Sequence, residues 1–218
     1  FTLRTTDLEA NRGRTDLWLV DVNGQNLRRL TTHPAADFNP RWSPCGKYIW
    51  FISTRSGSAQ VWRIRISGGE AVRFTDLPLD VGNLVVAPDG RHIALTMEVF
   101  PGKGCPYDTK RRLEERAKRK SSGRIYERLF IRHWDTWKDG RRSHLFSLRV
   151  KDKKLFRLMP EMDADTPSKP FGGPEEITFT PDGQGLIFTA AMWGGRRPGQ
   201  LILTFIMFRW MVQKSRSV

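Results

Sequence analysis

The sequence predicts an all-β fold, a partial β-propeller of four-stranded blades with a basic helical insertion, and three observations carry that prediction. First, WSPCGKYIWFIS from Trp42, VAPDGRHIALTM from Val86 and FTPDGQGLIFTA from Phe179 align without a gap. Each runs from a Pro-Asp/Cys-Gly turn into an apolar strand: Pro sets φ, Asp bonds the backbone two residues on, and Gly accepts a positive φ. Second, TDLWLVDVNGQNLRRLT from Thr15, AQVWRIRISGGEAVRFT from Ala59 and SHLFSLRVKDKKLFRLM from Ser143 each read as a hairpin. They turn at Asn23-Gly24, Gly68-Gly69 or Lys151-Asp152 and return to a basic residue, Arg29, Arg73 or Arg157, followed by an apolar one. Third, Trp18 to Trp62 and Pro44 to Pro88 are both 44 residues apart, the period of one blade.

In chain order, residues 1–31 read as the second half of a blade, and 39–75 as one uninterrupted blade with a strand to Trp42, a turn, and strands 47–53, 59–66 and 71–75. The next blade opens at Gly82 and runs to about Val99. Its outer hairpin is due 18 residues after Pro88, by analogy with Pro44 and Trp62, but Phe146 lies 58 residues on, so about 40 residues are inserted at 99–142. The blade closes near 159 and a further, incomplete one follows.

Within the insertion, Asp108 or Thr109 is expected to cap a helix through KRRLEERAKRKSS that stops at Gly123. Leu113 and Ala117 are nearly its only apolar residues, which predicts a solvated arm or one docked on something acidic. Beyond it Tyr126, Leu129, Phe130, Trp134 and Trp137 restore an apolar content that should pack back on the blade.

The chain has 218 residues and a net charge of +14, but the charge is unevenly placed. Residues 1–102 hold 12 Lys/Arg against 10 Asp/Glu and 143–190 hold 6 against 7, so the repeat body stands at +1. Residues 103–142 hold 14 against 6 and 191–218 hold 5 against none, giving +8 and +5. A nucleic-acid binder usually carries its basic face on the folded body, so no nucleic-acid partner is expected. A basic nucleic-acid or membrane-surface binder is retained only as an alternative. Two cysteines and four histidines show no metal-ligand spacing, so neither a metal nor a cofactor is expected.

The run RLFIRHWDTWKDGRRSHLF, after an EVFPG strand end and a basic helix, resembles the propeller domain of bacterial prolyl oligopeptidase family serine peptidases, in particular the acylaminoacyl-peptidase and dipeptidyl-peptidase branch. The resemblance covers about residues 1–190; the PDG turns alone are shared with TolB-like propellers, whose protein-binding role is the second alternative. It implies a cap on a C-terminal α/β-hydrolase domain that admits only short peptides, with chemistry in that domain from a Ser on a G-x-S-x-G elbow, an Asp and a His. This chain contains no G-x-S-x-G, so the hydrolase domain is expected to lie outside it and no catalytic residue is assigned. Arg132, His133, Trp134, Asp135 and Trp137 are the candidates for substrate access or domain contact. Some dipeptidyl peptidases hold the substrate amine with a propeller-borne acidic pair; Glu175-Glu176 is adjacent, but a strand there would point the two to opposite faces.

Residues 191–218 are expected to form an aberrant basic and apolar tail, the product of a truncated or out-of-frame gene end, with an apolar run too short for a confident membrane span. Phe1 opens on strand-like sequence, so the true N-terminus is expected upstream, and the compartment, bacterial cytoplasm or periplasm, is left open.

Overall fold

The computed structural model describes all residues except 103, 124, 127–131, 194–200 and 210–218. Its strands form blade sheets in succession. β1 (Thr2–Asp7), β2 (Arg12–Leu19) and β3 (Arg28–Arg29) make a three-stranded antiparallel sheet. β4 (Asp37–Trp42), β5 (Tyr48–Ser53), β6 (Gln60–Arg65) and β7 (Val72–Arg73) make a complete blade in that order.

The next complete blade pairs β8 (Val81–Val86) and β9 (His92–Val99) with two strands from beyond the insertion. The insertion itself holds α1 (Pro106–Ala117) and a small hairpin, β10 (Arg132–His133) with β11 (Thr136–Trp137). β12 (Arg142–Arg149) and β13 (Leu155–Arg157) then finish the blade. The last sheet comprises β14 (Ala164–Asp165), β15 (Ile177–Phe179), β16 (Gly185–Trp193) and β17 (Leu201–Arg209). The two complete blades thus fall where the repeats place them.

The turns follow from their residues. Gly46, Gly90 and Gly183 sit at φ 67–69° and donate to the carbonyls of Ser43, Ala87 and Thr180 at 2.8–2.9 Å. A residue with a Cβ resists that conformation. Asp89 and Asp182 accept the N–H two residues on, from Arg91 at 2.9 Å and Gln184 at 3.0 Å.

Because the central strands of the two complete blades are each sandwiched between neighbouring sheets, both of their faces are apolar. In β5, Ile49 and Phe51 pack toward β2 with Leu17 and Leu30, while Trp50 and Ile52 pack toward the next blade with Val81, Leu84 and Leu95. Alternation therefore divides one strand between two interblade cores. A third core, with Leu145, Met159, Ile177, Leu186 and Phe188, joins the last two blades.

The end of each outer strand is clamped to its neighbour. Thr31 Oγ1 accepts the Leu17 N–H at 3.0 Å, and Thr75 Oγ1 accepts the Val61 N–H at 2.9 Å. In the third copy Met159 takes the place, its Sδ 3.4 Å from the Leu145 N–H. Arg29 Nε and Arg73 Nε donate to the carbonyls of Thr31 and Thr75 at 2.9 and 2.8 Å. This explains the basic residue of the first two hairpin repeats. The following blade answers: Asp80 accepts the Ala59 N–H and Asp165 the Ser143 N–H, both at 2.8 Å.

Several expectations are corrected. The cap of α1 is Cys105, not Asp108 or Thr109: Asp108 is the third helical residue, and its carboxylate accepts the Cys105 N–H at 2.8 Å in a capping box. Thr109 is buried and its hydroxyl accepts the Phe100 N–H at 3.2 Å. The helix ends at Ala117 with Lys118 as its C-cap, the Lys118 N–H donating to the Glu114 carbonyl at 3.2 Å, and so stops short of the expected Gly123. Nor is it a free arm: Arg112 stacks on the Phe100 ring at 3.9 Å and Arg116 donates to the Asp139 carbonyl at 3.0 Å.

The expected boundary after residue 190 falls inside β16, and β17 pairs with β16 from Trp193↔Leu201 to Gly185↔Arg209. The rest of the tail, 194–200 and 210–218, lies outside the described residues, as do Leu129 and Phe130.

Thr75 tests the clamp. It is 4% exposed, and its hydroxyl also donates to Gln60 Oε1 at 2.8 Å. Thr75→Val strands the Val61 N–H in the interior, takes one of two donors from Gln60 Oε1, and should lower the unfolding free energy by about 1–3 kcal/mol. The readout is a lower urea midpoint, while Thr75→Ser keeps most of the stability. Equal midpoints for the valine and threonine proteins would remove the clamp from the account.

Candidate functional site

The inserted hairpin and the inner strand of the last blade present the candidate residues. β10 and β11 pair Arg132 with Trp137 and His133 with Thr136, leaving Trp134 and Asp135 as a two-residue turn. Such turns favour left-handed φ, which suits Asn or Gly. Here Trp134 takes φ 48° and stays 79% exposed.

Its ring lies 5.3 Å from that of His133 at 15°, and His133 meets the exposed Phe171 edge-on at 5.6 Å. On the other strand position the Arg132 guanidinium sits 5.2 Å over Trp137, which leans on Tyr126 at 5.9 Å. Asp135 turns back, its Oδ1 accepting from Thr136 Oγ1 at 3.3 Å. The structure therefore groups Arg132 with Trp137 and His133 with Trp134, and Asp135 joins neither pair. Phe171 was missed because a lone aromatic between Pro170 and Gly172 carries no strand or helix pattern.

Phe171 comes from a break in the innermost strand. The inner strands of the complete blades shift register between Phe38 and Arg41 and between Val81 and Leu84. In the last blade the corresponding strand is split: β14 pairs with Ala191 and Met192, β15 with Leu186 to Phe188, and residues 166–176 loop out between them.

Glu175 and Glu176 lie in a short 3-10 helix, Pro174–Glu176, rather than in the expected strand. Glu176 accepts from the Ser168 N–H at 2.8 Å, from Ser168 Oγ at 2.6 Å and from Thr189 Oγ1. Burial works to raise its pKa, but these hydrogen bonds outweigh it and hold the carboxyl below the usual range. Glu175 is exposed, and its charge acts on Arg41 of β4, whose pKa burial lowers and Glu175 partly restores. The two acids have separate roles and do not form a matched pair.

Charged groups fasten this region to the blade. Arg142 pairs with Asp163 at 2.7 Å and Asp165 at 3.5 Å, Lys169 pairs with Glu98, and Ser143 Oγ donates to the Thr166 carbonyl at 2.8 Å. Burial lowers the pKa of Lys138 beside them, against the pull of Asp165.

A second fixture holds the root of the insertion. The Arg157 guanidinium donates to the carbonyls of Phe100 at 3.1 Å, Gly102 at 2.8 Å and Gly104 at 2.5 Å, and to His144 Nδ1 at 2.9 Å. His144 is fully buried, and its Nε2 donates to the Met162 carbonyl at 2.9 Å. Burial, then the adjacent Arg157 charge, drive its pKa down to about 4.

Among the described residues no group of His, Cys, Asp and Glu is arranged to hold a metal, and no helix is long and apolar enough to cross a membrane. Cys45 and Cys105 are both free and exposed.

Four-stranded blades joined by such clamps define a β-propeller segment, and residues 6–100 match the family model described as PD40, the TolB beta propeller domain. A TolB from Acinetobacter baumannii superposes with a TM-score of 0.54 at 17% identity, over 94% of this chain and 37% of that one. The resemblance to peptidase propellers is also upheld. Dipeptidyl-peptidase 5 of Porphyromonas endodontalis is 23% identical over 193 residues, 87% of this chain and 27% of the relative. Peptidase YuxL of Bacillus subtilis is 28% identical over 189 residues, 84% of this chain and 26% of the relative. An acylaminoacyl peptidase in complex with Z-Gly-Gly-Phe-chloromethyl ketone shares the fold with a TM-score of 0.63 at 10% identity, over 95% of this chain and 28% of that one. The chain thus spans about a quarter of the length of the curated relatives it matches.

The buried imidazole yields a pH prediction. His144 stays neutral in the fold but takes a proton in the unfolded chain, so its contribution is complete above about pH 6.5 and is lost as pH falls toward 4. The loss should approach about 3 kcal/mol. In urea titrations between pH 7.5 and 4, His144→Gln, which can still accept from Arg157 and donate to Met162, should show a flatter stability profile than the parent. Parallel profiles would refute the assignment.

Proposed function

We propose that this chain is the non-catalytic propeller portion of a prolyl oligopeptidase family serine peptidase, in which it caps an α/β-hydrolase domain and restricts access to short peptides. The observation that carries the reading is the RHWDTW hairpin inserted into a TolB-type blade, in a chain aligned over most of its length with peptidases about four times longer. In this reading the blades through β17, with the insertion at about 99–142, are the cap. Arg132, His133, Trp134, Asp135 and Trp137 serve substrate access or contact with the hydrolase domain, with Phe171 added from the inner-strand loop.

Peptide hydrolysis by this family's route needs an activated Ser, a base and oxyanion donors, and the chain lacks the elbow that presents the Ser. A TolB-like protein-binding propeller is the second reading, favoured by the match over residues 6–100. A continuation of the reading frame that contains G-x-S-x-G would separate the two.

A fluorophosphonate probe should leave the purified 218-residue chain unlabelled and label a longer protein that includes a hydrolase segment. Stoichiometric labelling of the chain alone would overturn the non-catalytic assignment. In the longer protein, Trp134→Ala should reduce several-fold the ratio of kcat/KM for short over long peptides. An unchanged ratio would take the hairpin out of substrate selection.

A further inference from the structure

Away from the inserted hairpin, a groove of about 680 Å³ runs between the two complete blades where the first turn of α1 meets them. Its volume falls within the roughly 300–1,000 Å³ that encloses a small ligand or a few side chains. Phe74, Leu77 and Pro78 from the connector after β7, Leu155 from β13 and Tyr107 from α1 line it with apolar surface. Phe74 is anchored beneath by Trp50, ring to ring at 4.8 Å, so this floor is continuous with the interblade core. Tyr107 is 64% exposed, a large ring left facing solvent beside it.

The rims are cationic, one from each blade. Lys153 takes φ 57° in the turn between β12 and β13, and this carries its ammonium over the Phe74 ring at 5.0 Å. Arg73 faces it from β7 and holds Asp76 at 2.5 Å, but the Asp76 side chain is 86% exposed. An ion pair so open to water contributes little, and a carboxylate from a partner can replace it. An apolar floor between two cations complements apolar side chains flanked by carboxylates.

We propose that this groove docks a short acidic segment of a partner protein, its large apolar side chains on Phe74, Leu77 and Tyr107 and its carboxylates on Arg73 and Lys153. The site is independent of the peptidase reading, because every residue in it belongs to this chain and lies outside the inserted hairpin.

Two free cysteines make the test local: Cys105 lines the groove and Cys45 does not. The probe is the blocked heptapeptide Asp-Glu-Leu-Phe-Asp-Leu-Glu, added to the 218-residue chain. Bound peptide should slow maleimide labelling of Cys105 while Cys45 reacts at its free rate. By fluorescence anisotropy, Lys153→Glu and Tyr107→Ala should each weaken binding by about tenfold. Arg91→Glu, a charge reversal outside the groove, should leave it unchanged, with circular dichroism confirming that each variant folds. The proposal fails if the peptide does not bind, if both cysteines are protected alike, or if folded groove variants bind as the parent does. It also fails if peptides with Lys for the acids or Ala for the apolar residues bind equally well, or if a single-stranded oligonucleotide displaces the peptide at equal concentration.

Discussion

The arrangement depends on one hydrogen-bonded joint, the hydroxyl of the residue two beyond the outer-strand arginine accepting a backbone N–H of the strand beside it. Thr31 and Thr75 make the joint in two copies. Without it the chain would leave a very short outer strand, only Arg28–Arg29 or Val72–Arg73, with buried backbone groups lacking partners. The joint fixes where the connector starts, and the connector sets where the next inner strand begins. Gln60 extends the control, taking the N–H of Leu77 at 2.8 Å and donating to the carbonyl of Leu79 at 3.3 Å. Apolar packing between blades supplies the larger driving force, but it has no direction of its own. Registry comes from these polar contacts.

The insertion leaves that registry intact. β9 and β12 pair without a shift from Val99↔Arg142 to His92↔Arg149, although some forty residues separate their facing ends. Lengthening a loop costs little once its ends are fixed side by side, and here an eight-residue ladder holds them. The arm then lies on the blade through polar and cation-π contacts instead of an apolar face. A helix so poor in apolar residues can thus be ordered without a core of its own.

The blades were legible in the sequence because their devices are local and repeated. A turn glycine, an apolar strand and a terminal Arg followed by an apolar residue each act within a few residues, and three copies expose them. The helix boundaries were less legible: Cys105 is an unusual cap, and Thr109 was spent on the Phe100 N–H, a partner nine residues back that no local pattern indicates. At the candidate site the hairpin's aromatics stood out, while Phe171, Glu176 and His144 did not. Their roles come from contacts between elements far apart in the chain. Glu176 in particular read as one of two adjacent acids, and only its bonds to Ser168 and Thr189 separate it from Glu175.

Arg157 occupies the place that Arg29 and Arg73 hold in their hairpins, yet it bonds outward to Phe100, Gly102 and Gly104. Met159 stands in place of threonine, so the third joint relies on a sulfur acceptor, and the Arg157 guanidinium serves as a bracket for the inserted chain. A new segment was therefore mounted on hardware that the repeat already carried. Arg29 and Arg73 are committed instead to their own connectors and to Asp16 and Asp76, so an arm grafted at either hairpin would first have to displace a contact that holds its blade in place.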